Sequence, residues 1–280
     1  MKPTDIIFRP DGRIYHLGLA PEEIAPTVIL TGDPGRVETF SHLLDRVEVR
    51  RSNREFQSAT GTFQGRRLTF LSTGIGTDNI EIAAVEMDAL ARRRPSLGPF
   101  RWIRVGTCGA LHPFIQPGDA IMSRYAIGLD NLAHFYPPPE DKTRWTVESA
   151  LKSYLIRKGV PLWPYVAGAS SELTARLSSV ADHQGLTVCA PGFFAPQGRL
   201  IPISHPYENL PDRLVDFEWK GLRILNFEME VSALYLLAAR LGHQAAVIDI
   251  AVAIRPTGQA LLNYQERMTM LLEKILHSID

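Results

Sequence analysis

In Thr27-Val28-Ile29-Leu30-Thr31-Gly32-Asp33-Pro34-Gly35-Arg36, a short β-branched apolar run gives way to a turn rich in glycine and proline. The run predicts a buried strand. Pro34 suits a first helical turn, and a helix is expected over Arg36 to Leu44. The same alternation of strand and helix extends in both directions along the chain. Phe56–Phe63 and Arg67–Leu71 flank Gln64-Gly65, the signature of a hairpin. Ile80, Ala83, Ala84, Met87 and Leu90 recur at helical spacing, with Asp78 as the expected N-cap and Pro95 as the stop. Trp102–Val105 and Ala120–Ala126 read as strands, Ser149–Lys158 as a helix and Trp163–Ala169 as a strand. Val231–Leu241 is an apolar helix closed by Gly242, Ala245–Ile254 a long apolar strand, and Leu261–Ile279 a final amphipathic helix. This order predicts one α/β domain with a parallel or mixed central sheet. Ligands of such sheets bind beyond the carboxyl ends of the strands, so chemistry is to be sought there.

Composition removes other classes. With 280 residues, the chain can bury a large core. Thirty Lys and Arg balance thirty Asp and Glu, leaving no basic footprint for nucleic acid. No run reaches the ~18–20 apolar residues of a membrane-spanning helix, and Met1 to Arg13 is polar. Cys108 and Cys189 form no CxxC pair or disulfide framework. The expectation is a cytoplasmic globular enzyme.

Four strand ends carry polar clusters. Gly32-Asp33-Pro34-Gly35-Arg36 combines close backbone approach, free helix N–H groups and a charged fork, the parts of an anion site. Ser72-Thr73-Gly74-Ile75-Gly76-Thr77 is glycine-rich but matches no dinucleotide or P-loop pattern. Arg104-Val105-Gly106-Thr107-Cys108-Gly109-Ala110 brings an arginine, a hydroxyl and glycine amides to one strand end. Asn226-Phe227-Glu228-Met229-Glu230 places two carboxylates before an apolar helix, where one could grip a sugar diol. Outside these clusters Asp249, inside the long apolar strand, reads as structural. The eight histidines show no metal-ligand spacing, and GxSxG is missing. The site calls for an anion and a sugar.

These four clusters, together with His16-Leu17-Gly18-Leu19 and Arg54-Glu55-Phe56, resemble the nucleoside phosphorylase-I family and within it the members that act on uridine. The motifs fall in family order from His16 to Arg255. The resemblance implies a single domain over residues 1–280: a three-layer α/β/α fold with a central mixed sheet flanked by helices. Residues 1–15 would form an N-terminal extension and 256–280 a C-terminal helix. It implies phosphorolysis of uridine, with deoxyuridine or thymidine as further substrates, in which inorganic phosphate is co-substrate and no cofactor is required. Gly32, Arg36, Arg104 and Thr107 look like the phosphate cradle, and Arg54 resembles an arginine given to a neighbouring subunit's phosphate. His16 is similar to a histidine that reaches the ribose across the same interface. Met229 and Glu230 look like ribose contacts. The working unit implied is at least a homodimer, commonly a hexamer. Glu55, Ile75 and Asn79 resemble a potassium site at the interface, with Asn79 where relatives often carry serine.

For the base, Phe193-Phe194-Ala195-Pro196-Gln197-Gly198-Arg199 resembles the segment that reads uracil. The amide of Gln197 both donates and accepts, matching the N3–H and carbonyl of uracil. Arg199 can stabilise the departing base, Phe193 packs near it, and Arg255 supports the uracil end. Purine-cleaving relatives carry a proton-donating acid at a position aligned with Ile254, which cannot donate. Leu200 stands where an aromatic is expected. Catalysis is assigned to Arg104, Glu230, Arg199 and Gln197. Alternative readings are a purine phosphorylase, a nucleosidase of the same superfamily, and a silent nucleoside-binding protein.

Overall fold

A computed structural model of the chain describes residue 2 and residues 4–279. The order of elements is β1 (Thr27–Thr31), α1 (Pro34–Ser41), β2 (Arg46–Asn53), β3 (Phe56–Phe63), β4 (Arg66–Ser72), α2 (Thr77–Arg93), β5 (Arg101–Ala110), β6 (Ala120–Gly128), α3 (Leu132–Phe135) and α4 (Lys142–Arg157). The chain continues through β7 (Tyr165–Gly168), α5 (Ser171–Leu177), β8 (His183–Cys189), α6 (Leu210–Leu214), β9 (Glu218–Trp219), β10 (Leu222–Glu228), α7 (Val231–Leu241), β11 (Gln244–Ile254), β12 (Gln259–Ala260) and α8 (Gln265–Ser278). The tips of the N-terminal extension and the C-terminal segment, residues 1, 3 and 280, lie outside the described residues. The C-terminal helix begins only at Gln265, after the short strand β12.

Along one path the mixed sheet runs β12-β11-β6-β8-β10-β5-β1-β4-β3-β2. β5 is its pivot. It pairs in parallel with β1 and with β11, and its last residues pair antiparallel with β10. The sheet therefore curls, and β5, β11, β6, β8 and β10 close into a ring. Helices cover both faces. Because successive strand residues point to opposite faces, Val28 and Leu30 pack with α2 and α7, whereas Ile29 packs with α1 and α8. Trp102 and Val247 face the first cluster, and Ile103, Val105, Ala246 and Ile248 the second. Burial on both faces is why these strands read as unbroken apolar runs.

Local expectations survive with shifted edges. The Gln64-Gly65 turn has φ of 49° and 75°, as a tight hairpin requires. Gly242 closes α7 with φ 80°. Asp78, expected to cap α2, instead lies inside its first turn, and Gly76 is the capping residue. β2, β8, β10 and α5 are further elements of the sheet and its cover. Among the described residues no helix is long and apolar enough to cross a membrane.

Candidate active site

Because β1, β4, β5 and β11 are parallel, their carboxyl ends meet at one edge of the sheet. β10 arrives antiparallel to β5, Asn226 opposite Ala110 and Phe227 opposite Gly109. Continuing along β5, the chain carries Glu228 and Glu230 back toward Arg104. All four clusters line one cavity of about 830 Å³, which also takes in Glu55, Phe193, Gln197, Arg199, Val252 and Ala253.

The floor of this cavity is a buried charge cluster. One Arg104 nitrogen, Nη2, pairs with Glu230, while Nη1 lies 3.3 Å from Asp249 Oδ1 and 4.0 Å from Glu228 Oε2. Glu228 Oε2 accepts the backbone N–H groups of Glu230 (2.7 Å) and Val231 (2.9 Å). Glu230 Oε1 accepts the N–H of Gly76 at 2.7 Å. The second glycine-rich loop therefore presents the start of α2 to a carboxylate of the protein itself. Arg104 Nε, Glu228 Oε1 and Asp249 Oδ2 have no hydrogen-bond partner among the described residues. Three carboxylates around one guanidinium cannot all remain charged cheaply in a dry site. Burial, reinforced by the neighbouring Glu230, pushes Glu228 well above the carboxylate range. Burial also lifts Asp249 to about 6 despite Arg104 beside it.

Beside this floor, Arg36 donates to Thr31 Oγ1 (3.3 Å) and to the Tyr264 hydroxyl (3.0 Å), with its guanidinium 5.2 Å from the Tyr264 ring centre. Gly32 packs closely on the second glycine-rich loop, where a methyl group would sit 3.3 Å from the Gly74 carbonyl. Gly32, Arg36, Arg104 and Thr107 thus share one end of the cavity.

At the opposite end the wall is a loop. Gln197 ends a single 3-10 turn and is buried, and Gly198 turns the chain with φ 65°. A side chain at Gly198 would strike Pro211 and the Tyr207 carbonyl. Arg199 Nε donates to the Phe193 carbonyl at 2.9 Å, and its guanidinium lies 4.0 Å from the Phe193 ring centre. Arg255 does not line the cavity. Its Nη1 holds the Gln197 carbonyl at 2.6 Å, and it lines an adjacent groove of about 950 Å³ with Leu200. Burial and the charge of Arg199 lower Arg255 to about 10.

The position compared with an acid does not line the cavity. Ile254 is fully buried in the core, away from the cavity. A bulge between Ala251 and Ala253 breaks the pairing with β5, and Val252 and Ala253 form the wall. Neither can donate a proton. Asp249, read as structural, is instead paired with Arg104. Its signal was available: it is the one charged residue in Ala245–Ile254.

His16 and Arg54 do not line the cavity of their own chain. Glu86, buried in α2, accepts the N–H groups of His16 and Leu17 and lies 2.7 Å from His16 Nδ1. Arg54 occupies the left-handed region (φ 55°) at the turn between β2 and β3, beside the Tyr15 ring, while its neighbour Glu55 faces the cavity. Glu86 and Tyr264 had no local signature, because each meets its partner only through the fold.

The profile of the phosphorylase superfamily matches residues 26–277, and the chain belongs to that superfamily. Within it, the chain is similar to the uridine phosphorylase of Haemophilus influenzae, at 30% identity over 253 residues and 89% of each chain. The uridine phosphorylase of Thermococcus kodakarensis is also 30% identical over 255 residues, covering 89% of this chain and 80% of that one. A solved nucleoside phosphorylase of Trypanosoma brucei, described as showing uridine phosphorylase activity, superposes with a TM-score of 0.86 at 28% identity. That superposition covers 98% of this chain and 99% of the other.

Proposed function

We propose that this protein is a uridine phosphorylase, using phosphate to cleave uridine to uracil and ribose 1-phosphate, with deoxyuridine and thymidine as further substrates to be tested. One observation carries the reading: a single cavity is lined by Gly32, Arg36, Arg104 and Thr107, by Gln197 and Arg199, and by Glu230. Phosphate set at the arginine end would face C1′ of a ribose whose diol is held by Glu230, with Met229 beside the sugar. A phosphate oxygen forms the bond to C1′ as the C1′–N1 bond breaks, and the electron pair leaves on uracil. Fixed phosphate charge stabilises the developing sugar cation, and Gln197 and Arg199 donate to the anionic base. Alignment of the two substrates turns an encounter into a local step, so no covalent enzyme intermediate is required.

The shared-site arrangement belongs to the same proposal. His16 and Arg54 lie off their own cavity, which suits delivery to a neighbouring copy in a dimer or in a hexamer built from dimers. Glu55, Ile75 and Asn79 border one rim, and their carboxylate and carbonyl oxygens are of the class hard cations accept. A potassium ion there would hold that rim rather than enter the reaction. A cytoplasmic location belongs to the same proposal.

The test is absorbance on mixing protein with uridine, with and without phosphate, and with inosine in parallel. Phosphate-dependent loss of uridine is expected. Loss without phosphate would make it a nucleosidase, inosine cleavage would overturn the base assignment, and silence on both would refute the activity.

A further inference from the structure

Arg104 has two anchors of different kinds. Glu230 is the carboxylate that the sugar diol would claim, so its pairing with Arg104 is contested once nucleoside binds. Asp249 is not on the cavity wall and touches no substrate position. It stands on β11 in register with Gly106 of β5, two residues beyond Arg104, and both side chains lie over that glycine. A methyl group at Gly106 would fall inside contact distance of Arg104 Nη1 and Asp249 Oδ1 alike. Gly106 has no positive φ, so its requirement is room and not backbone conformation. The glycine therefore makes the passage through which Asp249 reaches Arg104. Asp249 is fully buried with Oδ2 unpartnered, an arrangement that costs stability and that packing alone would not call for.

We infer that Asp249 is a positioning residue of the phosphate site, holding the Arg104 guanidinium in place when Glu230 turns to the sugar. This rests on the phosphorolytic reading above. Asp249 contributes no proton and forms no bond to substrate; it fixes one fork of the guanidinium, leaving the other for exchange between Glu230 and phosphate. The bulged end of the same strand, Val252 and Ala253, forms part of the cavity wall, so β11 ties the phosphate anchor to that wall.

Three variants test the inference. Asp249→Ala removes the anchor, Gly106→Ala wedges the pair apart without altering either partner, and Asp249→Asn keeps an acceptor for Arg104. The first two are expected to raise KM for phosphate on the order of tenfold or more, with KM for uridine within about twofold, as misplacement of a positioning group does. Asp249→Asn should restore phosphate KM to near the wild-type value. Titration calorimetry with inorganic phosphate alone should show the same ranking. If wild type binds phosphate with this ranking yet does not cleave uridine, the functional reading fails and the positioning role stands. Unchanged phosphate KM in both Asp249→Ala and Gly106→Ala, or equal rises in both KM values that Asp249→Asn does not rescue, would overturn it. Should Asp249→Ala not fold, Gly106→Ala and Asp249→Asn still decide the matter.

Discussion

The two ends of the cavity are built on different principles. The part proposed to take phosphate stands on β5 and on the carboxyl ends of β1 and β10, and its arginine, Arg104, is locked among three buried carboxylates. The part proposed to take the base is a loop, held by one 3-10 turn, a left-handed Gly198 and a bond from Arg255 to the Gln197 carbonyl. Phe193 and Phe194 are about half exposed there, and Leu200 is 80% exposed. Charge must be met by atoms that do not reorganise, and strand ends supply such atoms at little entropic cost. A base must enter and leave, and a loop with few buried contacts can open. The rigid end should therefore govern turnover with phosphate, and the loop should govern recognition of the nucleoside.

The sharpest way to break this comparison is Arg104→Lys, which keeps the charge and loses the fork. A fall of roughly 10²–10³-fold in kcat/KM for phosphate is expected, and steady-state kinetics with varied phosphate would show it. A smaller loss than at the loop would reverse the ranking. Gln197→Leu should come next, at about 10–100-fold in kcat/KM for uridine with phosphate KM unchanged, because uracil then faces an apolar group. A parallel rise in phosphate KM would mean that the two ends are not separable.

A third prediction concerns stability. The Asp249 carboxyl titrates at about 6 in the fold, against an ordinary value of 3.8. The folded protein thus holds this proton more tightly than the unfolded chain. Stability present below pH ~4 is lost as pH rises through 6. The groups around Asp249 are Arg104 and Cys108 from β5, Glu228 and Glu230 at the end of β10, Arg36 from α1 and Tyr235 from α7. Asp249→Asn removes the loss, so it should stabilise the protein at pH 7.5 by on the order of 3 kcal/mol and little at pH 4. Thermal melts at the two pH values check this, and a destabilised variant at pH 7.5 would show that the ionised pair is a net support. The smallest effect belongs to Arg255→Ala. It should raise uridine KM a few-fold and quicken proteolysis within residues 191–215, since one loop hydrogen bond is worth about 1 kcal/mol.

The strand ends were legible because each is local. Thr27–Arg36 carries strand, turn and helix start within ten residues, and all three survive in the fold, whereas Arg104–Ala110, read as the end of a strand, is strand throughout because β5 runs from Arg101 to Ala110. β2 escaped notice because its pattern of exposed and half-buried residues, rich in arginine, gives no apolar run. Ile254 was placed by resemblance to purine-cleaving relatives; the fold buries it in the core, and the bulged Val252 and Ala253 line the cavity. Asp249 was visible as a lone charge, but its partner was not, because Arg104 lies 145 residues away.

The amino-acid sequence by itself determined the alternation of elements, the glycine turns and the residue types gathered at the strand ends, since these follow from backbone sterics and side-chain period. Only the tertiary structure decided that β10 runs back along β5, that Glu230 faces both Arg104 and Gly76, and that Asp249 passes over Gly106. Those outcomes depend on strand register and on the curl of the sheet, which arise from packing between segments far apart in the chain.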